Sequence, residues 1–139
     1  MAGEKFKFSS EEYLEFKLIG LRSDEKDFRL AWLLNKTFNW ELQLTHEVEA
    51  QQKKGVSKHE VYAIKGEENQ LQVHLIVNRS LKGMFLPDYS QMDYLLKIEH
   101  ASNDYISEVI TGLRKLNEIS AAYDIATQGL KHIDRFIFD

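Results

Sequence analysis

The order of apolar and polar residues divides the chain into strand-like and helix-like segments. Residues 14–21 alternate between apolar and polar side chains, which predicts a strand. The following segment, SDEKDFRLAWLLNKTF, has acidic residues at its start and apolar residues near helical spacing. It predicts a helix over residues 24–37, capped by Ser23 or Asp24, with Trp32 in the core.

The alternation recurs along the rest of the chain, and it is interrupted by a second stripe of apolar residues at helical spacing. This stripe begins after Ser102 or Asn103, either of which can cap a helix, and ends near Leu116. Gly112 lies inside it, where we expect it to permit close approach of a strand. The clearest pair of strands is joined as a hairpin by the polar turn GEENQ. Further strands are predicted over residues 40–44, 61–65, 71–78, 94–98, 119–125 and 136–138.

Two less regular segments separate these elements. Residues 45–59 (THEVEAQQKKGVSKH) are polar, with Gly55 near the middle. Residues 78–92 (NRSLKGMFLPDYSQM) contain the single proline of the chain, Pro87. Both segments are predicted to be long loops, a class of segment that often carries function.

The element order is β-α-β, a hairpin, and a second β-α-β. Because such crossovers are right-handed, two of them place both helices on the same face of a sheet. The sequence therefore predicts an α+β fold, with a mostly antiparallel sheet and two helices packed on one face. This is a ferredoxin-like β-α-β plan enlarged by the hairpin. The length of 139 residues and the hydrophobic content of 43% favour a single domain over residues 1–139.

Composition removes several classes of function. The chain has no cysteine, which excludes disulfides, thiolate metal sites, iron–sulfur clusters and a cysteine nucleophile. Its net charge of −4 lacks the basic footprint of a nucleic-acid-binding protein. The sequence has neither a secretory h-region at its start nor an apolar run long enough for a membrane span. We therefore expect a cytoplasmic protein that binds neither nucleic acid nor membrane.

The common catalytic motifs are missing from the sequence. It has no glycine-rich phosphate loop, no H-E-x-x-H zinc motif and no G-x-S-x-G nucleophile elbow. The histidines are scattered, although the pairs His46-Glu47 and His59-Glu60 could approach across the long loop and bind a metal, an alternative that we do not favour because surface His-Glu pairs are common. We expect His74, on the polar face of a strand, to be a hydrogen-bonded structural residue rather than a general base. No catalytic residue, metal ligand or cofactor site is assigned.

The most unusual segment of the chain runs from Arg79 to Tyr94. Pro87 restricts the backbone, Asp88 can cap a turn, and Asp93, at the start of a strand, can accept backbone N–H groups from the loop. Tyr94 adds apolar area and a hydroxyl group. One interpretation is a structural clamp that holds the loop on the sheet. The alternatives are a binding edge, charged by Arg79 and the two aspartates, and a catalytic couple of those aspartates.

The sequence LPDYSQMDY, which ends at Tyr94, resembles the motif of the IPExxxVDY family, a group of small bacterial proteins. Pro87, Asp93 and Tyr94 are identical to the motif. Leucine, aspartate and methionine replace isoleucine, glutamate and valine conservatively, and the spacing is kept. The order of EFKLIGL, DFRLAWLLNK and AAYDI along the chain is similar too. The resemblance implies no catalytic residue, cofactor or substrate, because no activity defines the family.

Three hypotheses about function follow. The first is a non-catalytic binding or assembly module that meets a protein partner or a second copy as a homodimer. It is motivated by the apolar residues 84–86 and 133–138. The second is a small-molecule-sensing regulatory domain, since ACT domains share the β-α-β-β-α-β plan, an analogy of fold alone. The third is an enzyme that uses carboxylates with Tyr94 or His74.

Overall fold

The computed structural model describes residues 15–138, apart from residues 65, 66, 68 and 69. Short 3-10 turns lie at Pro87–Tyr89 and Ile133–Phe136. The helices and strands are β1 (Lys17–Arg22), α1 (Asp27–Phe38), β2 (Gln43–Gln52), β3 (Gly55–Ala63), β4 (Gln72–Val77), β5 (Arg79–Ser80), β6 (Gly83–Met84), β7 (Tyr94–Glu99), α2 (Asn103–Arg114) and β8 (Ala121–Ile125).

Within the described residues, the main feature is a six-stranded sheet in the order β2-β3-β4-β7-β1-β8. Every neighbouring pair of strands is antiparallel. The strands β4, β7, β1 and β8 follow the order of a ferredoxin-like plan, and the hairpin β2–β3 extends the sheet at one edge. The predicted α+β fold, with a mostly antiparallel sheet and two helices, is confirmed.

Both helices pack on the same face of the sheet. Leu30 and Leu34 of α1 and Val109 and Leu113 of α2 are buried in one apolar cluster with inward side chains of the strands. These residues recur three or four positions apart, so each helix presents one apolar stripe to the sheet. No helix in the described part of the chain is both long and apolar enough to cross a membrane.

The first helix begins at Asp27, later than predicted, and Ser23 Oγ accepts the N–H of Glu25 at 3.1 Å ahead of the helix. The backbone N–H of Ser23 donates to Asp93 Oδ2 at 2.9 Å, and its hydroxyl donates to Glu118 O at 2.7 Å. Both partners are distant in sequence, so the local pattern did not reveal them. Ser23 therefore joins the first strand–helix connection to the start of β7 instead of capping α1.

The second helix begins as predicted, but its glycine approaches a different element. The hydroxyl of Ser102 accepts the N–H of Tyr105 at 3.1 Å and caps α2. A Cβ atom added at Gly112 would lie 2.8 Å from the ring of Phe38, the last residue of α1. The close approach at Gly112 is therefore between the two helices. The prediction that Gly112 permits close approach of a strand was wrong.

Residues 45–59 are not a long loop, because they form most of the hairpin β2–β3. Gln52 pairs with Gly55, so Lys53 and Lys54 alone make the turn, and Gly55 adopts a φ of 120°. β2 is an edge strand whose side chains are mostly exposed. Polar residues are tolerated on both faces of such a strand, and the alternation that identifies a half-buried strand is lost.

The hairpin predicted between residues 61–65 and 71–78 is confirmed in its paired residues. Val61 pairs with Ile76 and Ala63 pairs with His74. Most of the predicted turn GEENQ lies outside the described residues.

Within the described residues, the second face of the sheet is covered by a loop and a 3-10 turn rather than by an α-helix. Phe85 from the loop between β4 and β7 and Phe136 from the C-terminal segment are fully buried against it. Their rings meet edge to face, with centroids 5.1 Å apart. The C-terminal segment is a 3-10 turn rather than the predicted strand, because side-chain packing and bonds from Arg135 to backbone carbonyls hold it.

Candidate functional site

The loop between β4 and β7 is built around the buried side chain of Asn78. Its Nδ2 donates to Met92 O at 2.8 Å, and its Oδ1 accepts the N–H of Leu86 at 2.7 Å. Its backbone N–H donates to Asp93 O at 3.0 Å, and its carbonyl accepts the N–H of Phe85 at 2.8 Å. One asparagine therefore joins the start, the middle and the end of the loop.

Asp93 connects this loop to the first strand–helix connection. Its Oδ2 accepts the N–H of Ser23 at 2.9 Å, and its Oδ1 accepts a hydrogen bond from Arg79 Nε at 3.1 Å. Arg79 also donates to Ser90 O at 3.2 Å. Both carboxylate oxygens of Asp93 are engaged inside the chain, which is the arrangement that the clamp interpretation requires.

Tyr94 and Tyr62 anchor the start of α1 from the sheet. The hydroxyl of Tyr94 donates to Glu25 O, and the hydroxyl of Tyr62 donates to Asp27 Oδ2 at 2.9 Å. Burial raises the pKa of Tyr94 to about 12, and burial together with the Asp27 carboxylate raises the pKa of Tyr62 well above its usual value. Both phenols stay protonated at neutral pH, so they act as hydrogen-bond donors that position the helix.

Pro87 and Asp88 lie on the outside of the same loop. Pro87 is the first residue of a 3-10 turn, and both side chains are exposed. The negative charge of Asp88 acts on Arg135, and it partly offsets the lowering of the Arg135 pKa by burial. The structure therefore separates the two aspartates: Asp88 faces the C-terminal segment, and Asp93 faces the start of α1.

His74 lies in the middle of β4, away from this loop. His74 pairs with Lys97, whereas Val77 pairs with Tyr94 at the loop end of the strands. Because a strand rises roughly 3.3 Å per residue, His74 is about 10 Å along the sheet from Tyr94. The aspartates and His74 do not converge in one catalytic group. The expected hydrogen bond of His74 is also missing at one nitrogen, since Nδ1 is buried with no partner among the described residues.

Ser57 and His59 form the nearest arrangement to a catalytic pair, but they are enclosed. His59 Nε2 lies 2.6 Å from Ser57 Oγ, and His59 Nδ1 lies 2.8 Å from Val77 O. Both side chains are buried, and burial lowers the pKa of His59. No substrate reaches this serine, so the pair is structural. Across the described residues, no cluster of histidine and carboxylate side chains is arranged to hold a metal ion.

The outer face of α1 carries two exposed aromatic side chains. Phe28 is 62% exposed and Trp32, one helical turn later, is 52% exposed. The cations of Arg29 and Lys36 lie 5.4 Å and 5.2 Å from the Trp32 ring. The prediction of Trp32 in the core was wrong, because α1 has apolar residues on both faces and only tertiary packing chose between them. Trp40 is the buried tryptophan.

Comparison of the chain with protein-family models, with curated proteins and with solved structures finds no match. Function is therefore inferred from the residues themselves.

Sequence reasoning missed two residues that organise the second face. Lys97 stands at an inward position of the apolar strand YLLKIE, and that interruption of the pattern was a usable signal. Asn78 follows a strand at the start of a loop, where asparagine is common, so nothing local marked it.

We expect Asp93→Ala to lower the free energy of unfolding by about 2 kcal/mol, because the partly buried Ser23 N–H loses its acceptor. Arg79→Ala serves as the comparison, since this exposed ion pair contributes less than about 1 kcal/mol. Urea unfolding of both variants measures the difference. An equal loss in both variants would mean that the ion pair, rather than the amide bond, holds the connection.

Proposed function

We propose that the protein is a non-catalytic assembly module that forms a homodimer through the outer face of α1. The observation that carries this proposal is the exposure of Phe28 and Trp32 on one turn of a helix whose other face is fully packed. Adjacent exposed aromatics mark interaction surfaces, and tryptophan is enriched at the centres of protein interfaces.

The charges around these aromatics favour a second copy as the partner. Glu25 lies just before the first turn of α1, and Lys36 lies in its last turn, with Phe28 and Trp32 between them. In a two-fold pair of antiparallel helices, Glu25 of each copy faces Lys36 of the other, and the aromatics meet at the centre. Such a contact uses the same patch twice, so it closes at two copies.

The internal bonding of the polar residues supports binding rather than catalysis. Asp93 and Tyr94 are engaged inside the chain, Asp88 faces another element, and His74 is distant from all of them. A general acid or base requires reach to a substrate proton, which this arrangement does not offer.

Sedimentation equilibrium tests the proposed dimer. We expect the wild-type chain of 16.3 kDa to dimerise at micromolar concentration. Trp32→Ala should raise the dissociation constant by about 30-fold or more, in line with the effect of an interface hot spot. Leu81→Ala is the matched control, because Leu81 is a fully exposed leucine on a different surface. A wild-type protein that stays monomeric at about 100 μM contradicts the proposal.

A charge exchange tests the antiparallel geometry. Lys36→Glu places like charges opposite one another and should weaken the dimer. Adding Glu25→Lys to the same chain should restore the affinity, because both opposing pairs are then reversed. If the double variant is no tighter than Lys36→Glu alone, the two helices do not meet in this orientation.

We also propose that the chain is a bacterial, cytoplasmic member of the IPExxxVDY family. The identities at Pro87, Asp93 and Tyr94 and the spacing between them support the relationship. The lack of cysteine fits a reducing compartment.

A further inference from the structure

Two buried polar side chains lie side by side at the centre of the sheet, on the face opposite α1 and α2. Lys97 of β7 and His74 of β4 are paired in register. They are only 5% and 9% exposed. Lys97 Nζ donates to Phe136 O at 2.6 Å and lies 3.4 Å from a carboxylate oxygen of Glu99. An ammonium group has three N–H donors, so these two acceptors leave one donor available.

His74 is the second polar group of this pair. Its Nδ1 has no hydrogen-bond partner among the described residues, which costs about 1–3 kcal/mol for a buried polar atom. Since no partner fixes its tautomer, Nδ1 can carry the proton and act as a donor. Burial and the charge of Lys97 lower the pKa of His74 to about 4, and Glu99 and His46 are the other charged or titratable groups that act on it.

Phe138 covers both groups. Its ring lies 4.8 Å from Lys97 Nζ and 5.3 Å, edge to face, from the ring of His74. Phe16 lies on another side of the ammonium at 5.3 Å. The two donors are therefore enclosed by aromatic rings, and the ring of Phe138 belongs to the C-terminal segment rather than to the sheet.

An open cleft of about 490 Å³ leads to this cover. It runs between β2 and the C-terminal segment, and Phe138 is one of its walls. Lys97 and His74 do not line the cleft, and Phe138 is the residue that lies against both the cleft and these two groups. The lining carries the carboxylates of Glu49 and Asp134 and the guanidinium of Arg135, so its net charge is negative and opposes ligands with more than one anionic group.

We propose that the cleft binds a small organic monocarboxylate with an apolar tail. The tail takes the place of the Phe138 ring beside Phe16, and the carboxylate accepts hydrogen bonds from Lys97 Nζ and His74 Nδ1. A charge-assisted bond to an enclosed ammonium is stronger than a neutral one, and an aromatic tail restores the cation–π contact that Phe138 loses. Glu99 keeps its bond to the ammonium, so the affinity is modest.

Phenylacetate is the probe, measured by titration calorimetry with the full chain. We expect Phe138→Ala to bind it about 10-fold more tightly than the wild type, because the competing ring is gone. Adding Lys97→Met should weaken binding by about 10-fold or more, since the charged donor is lost. Lys131→Met is the matched control on the C-terminal segment, because Lys131 is exposed and does not line the cleft.

The neutral analogue phenylacetamide separates charge recognition from apolar binding. It should bind Phe138→Ala about 10-fold more weakly than phenylacetate does. A proton NMR spectrum establishes that Lys97→Met is folded before its binding is measured. Absence of phenylacetate binding to a folded Phe138→Ala variant would overturn the proposal. So would binding that Lys97→Met leaves unchanged.

Discussion

Replacement of Asn78 by alanine is expected to lower the free energy of unfolding by about 3–5 kcal/mol. This is the largest effect that we expect for a polar residue of this chain. The substitution leaves the N–H of Leu86 and the carbonyls of Tyr89 and Met92 without their side-chain partner. Each buried group that loses its partner costs about 1–3 kcal/mol. Urea unfolding measures the total, and hydrogen exchange of the Leu86 amide shows whether the loop opens locally.

Asn78→Asp is a second test of the same side-chain hydrogen bonds. Aspartate has nearly the shape of asparagine, and it can still accept the N–H of Leu86, but its carboxylate faces the carbonyl of Met92 without a donor. We expect a loss comparable with that of Asn78→Ala. Asn117→Ala is the control for the same substitution at an exposed position and should change stability by less than about 0.5 kcal/mol. A loss below about 1 kcal/mol for Asn78→Ala would show that the loop does not depend on this side chain.

Acidification is expected to destabilise the fold through His74. The pKa of His74 is about 4 in the folded chain, below the ordinary value of 6.5 that applies when the chain unfolds. Between these values the unfolded state binds more protons, so the free energy of unfolding falls as pH falls. This contribution is fully present above pH 6.5 and is lost on approach to pH 4. Its size is about 3 kcal/mol.

His74→Leu tests the assignment of this pH dependence. The variant should lose most of the change in stability between neutral and mildly acidic pH, because leucine does not titrate. His59, whose pKa is also lowered by burial, contributes in the same direction and should leave a smaller residual slope. His100→Asn is the control at an exposed histidine with a φ of 59°, a conformation that asparagine tolerates. Equal acid sensitivity of His74→Leu and the wild type would contradict the prediction.

The clamp interpretation of residues 79–94 depended on residue types alone, without knowledge of tertiary contacts. Its residue types predicted that Asp93 accepts backbone N–H groups of the loop, whereas Asp93 accepts the N–H of Ser23 in the first strand–helix connection. The identity of that amide was not predictable, because the two residues are 70 positions apart. Asn78, which bonds much of the same loop, carried no local signal at all.

The sequence by itself determined the class of fold, the two helices and most strands, because the spacing of apolar residues reflects which face of each element is buried. It failed at β2 and at the first half of β3, since β2 is an exposed edge strand and the buried positions in that half of β3 are the polar Ser57 and His59. Only the tertiary structure decided that Trp32 faces outward while Trp40 is buried, and that Phe138 covers Lys97 and His74. Those outcomes depend on which distant segments pack together, and burial and hydrogen bonding between distant segments leave no periodic trace along the chain.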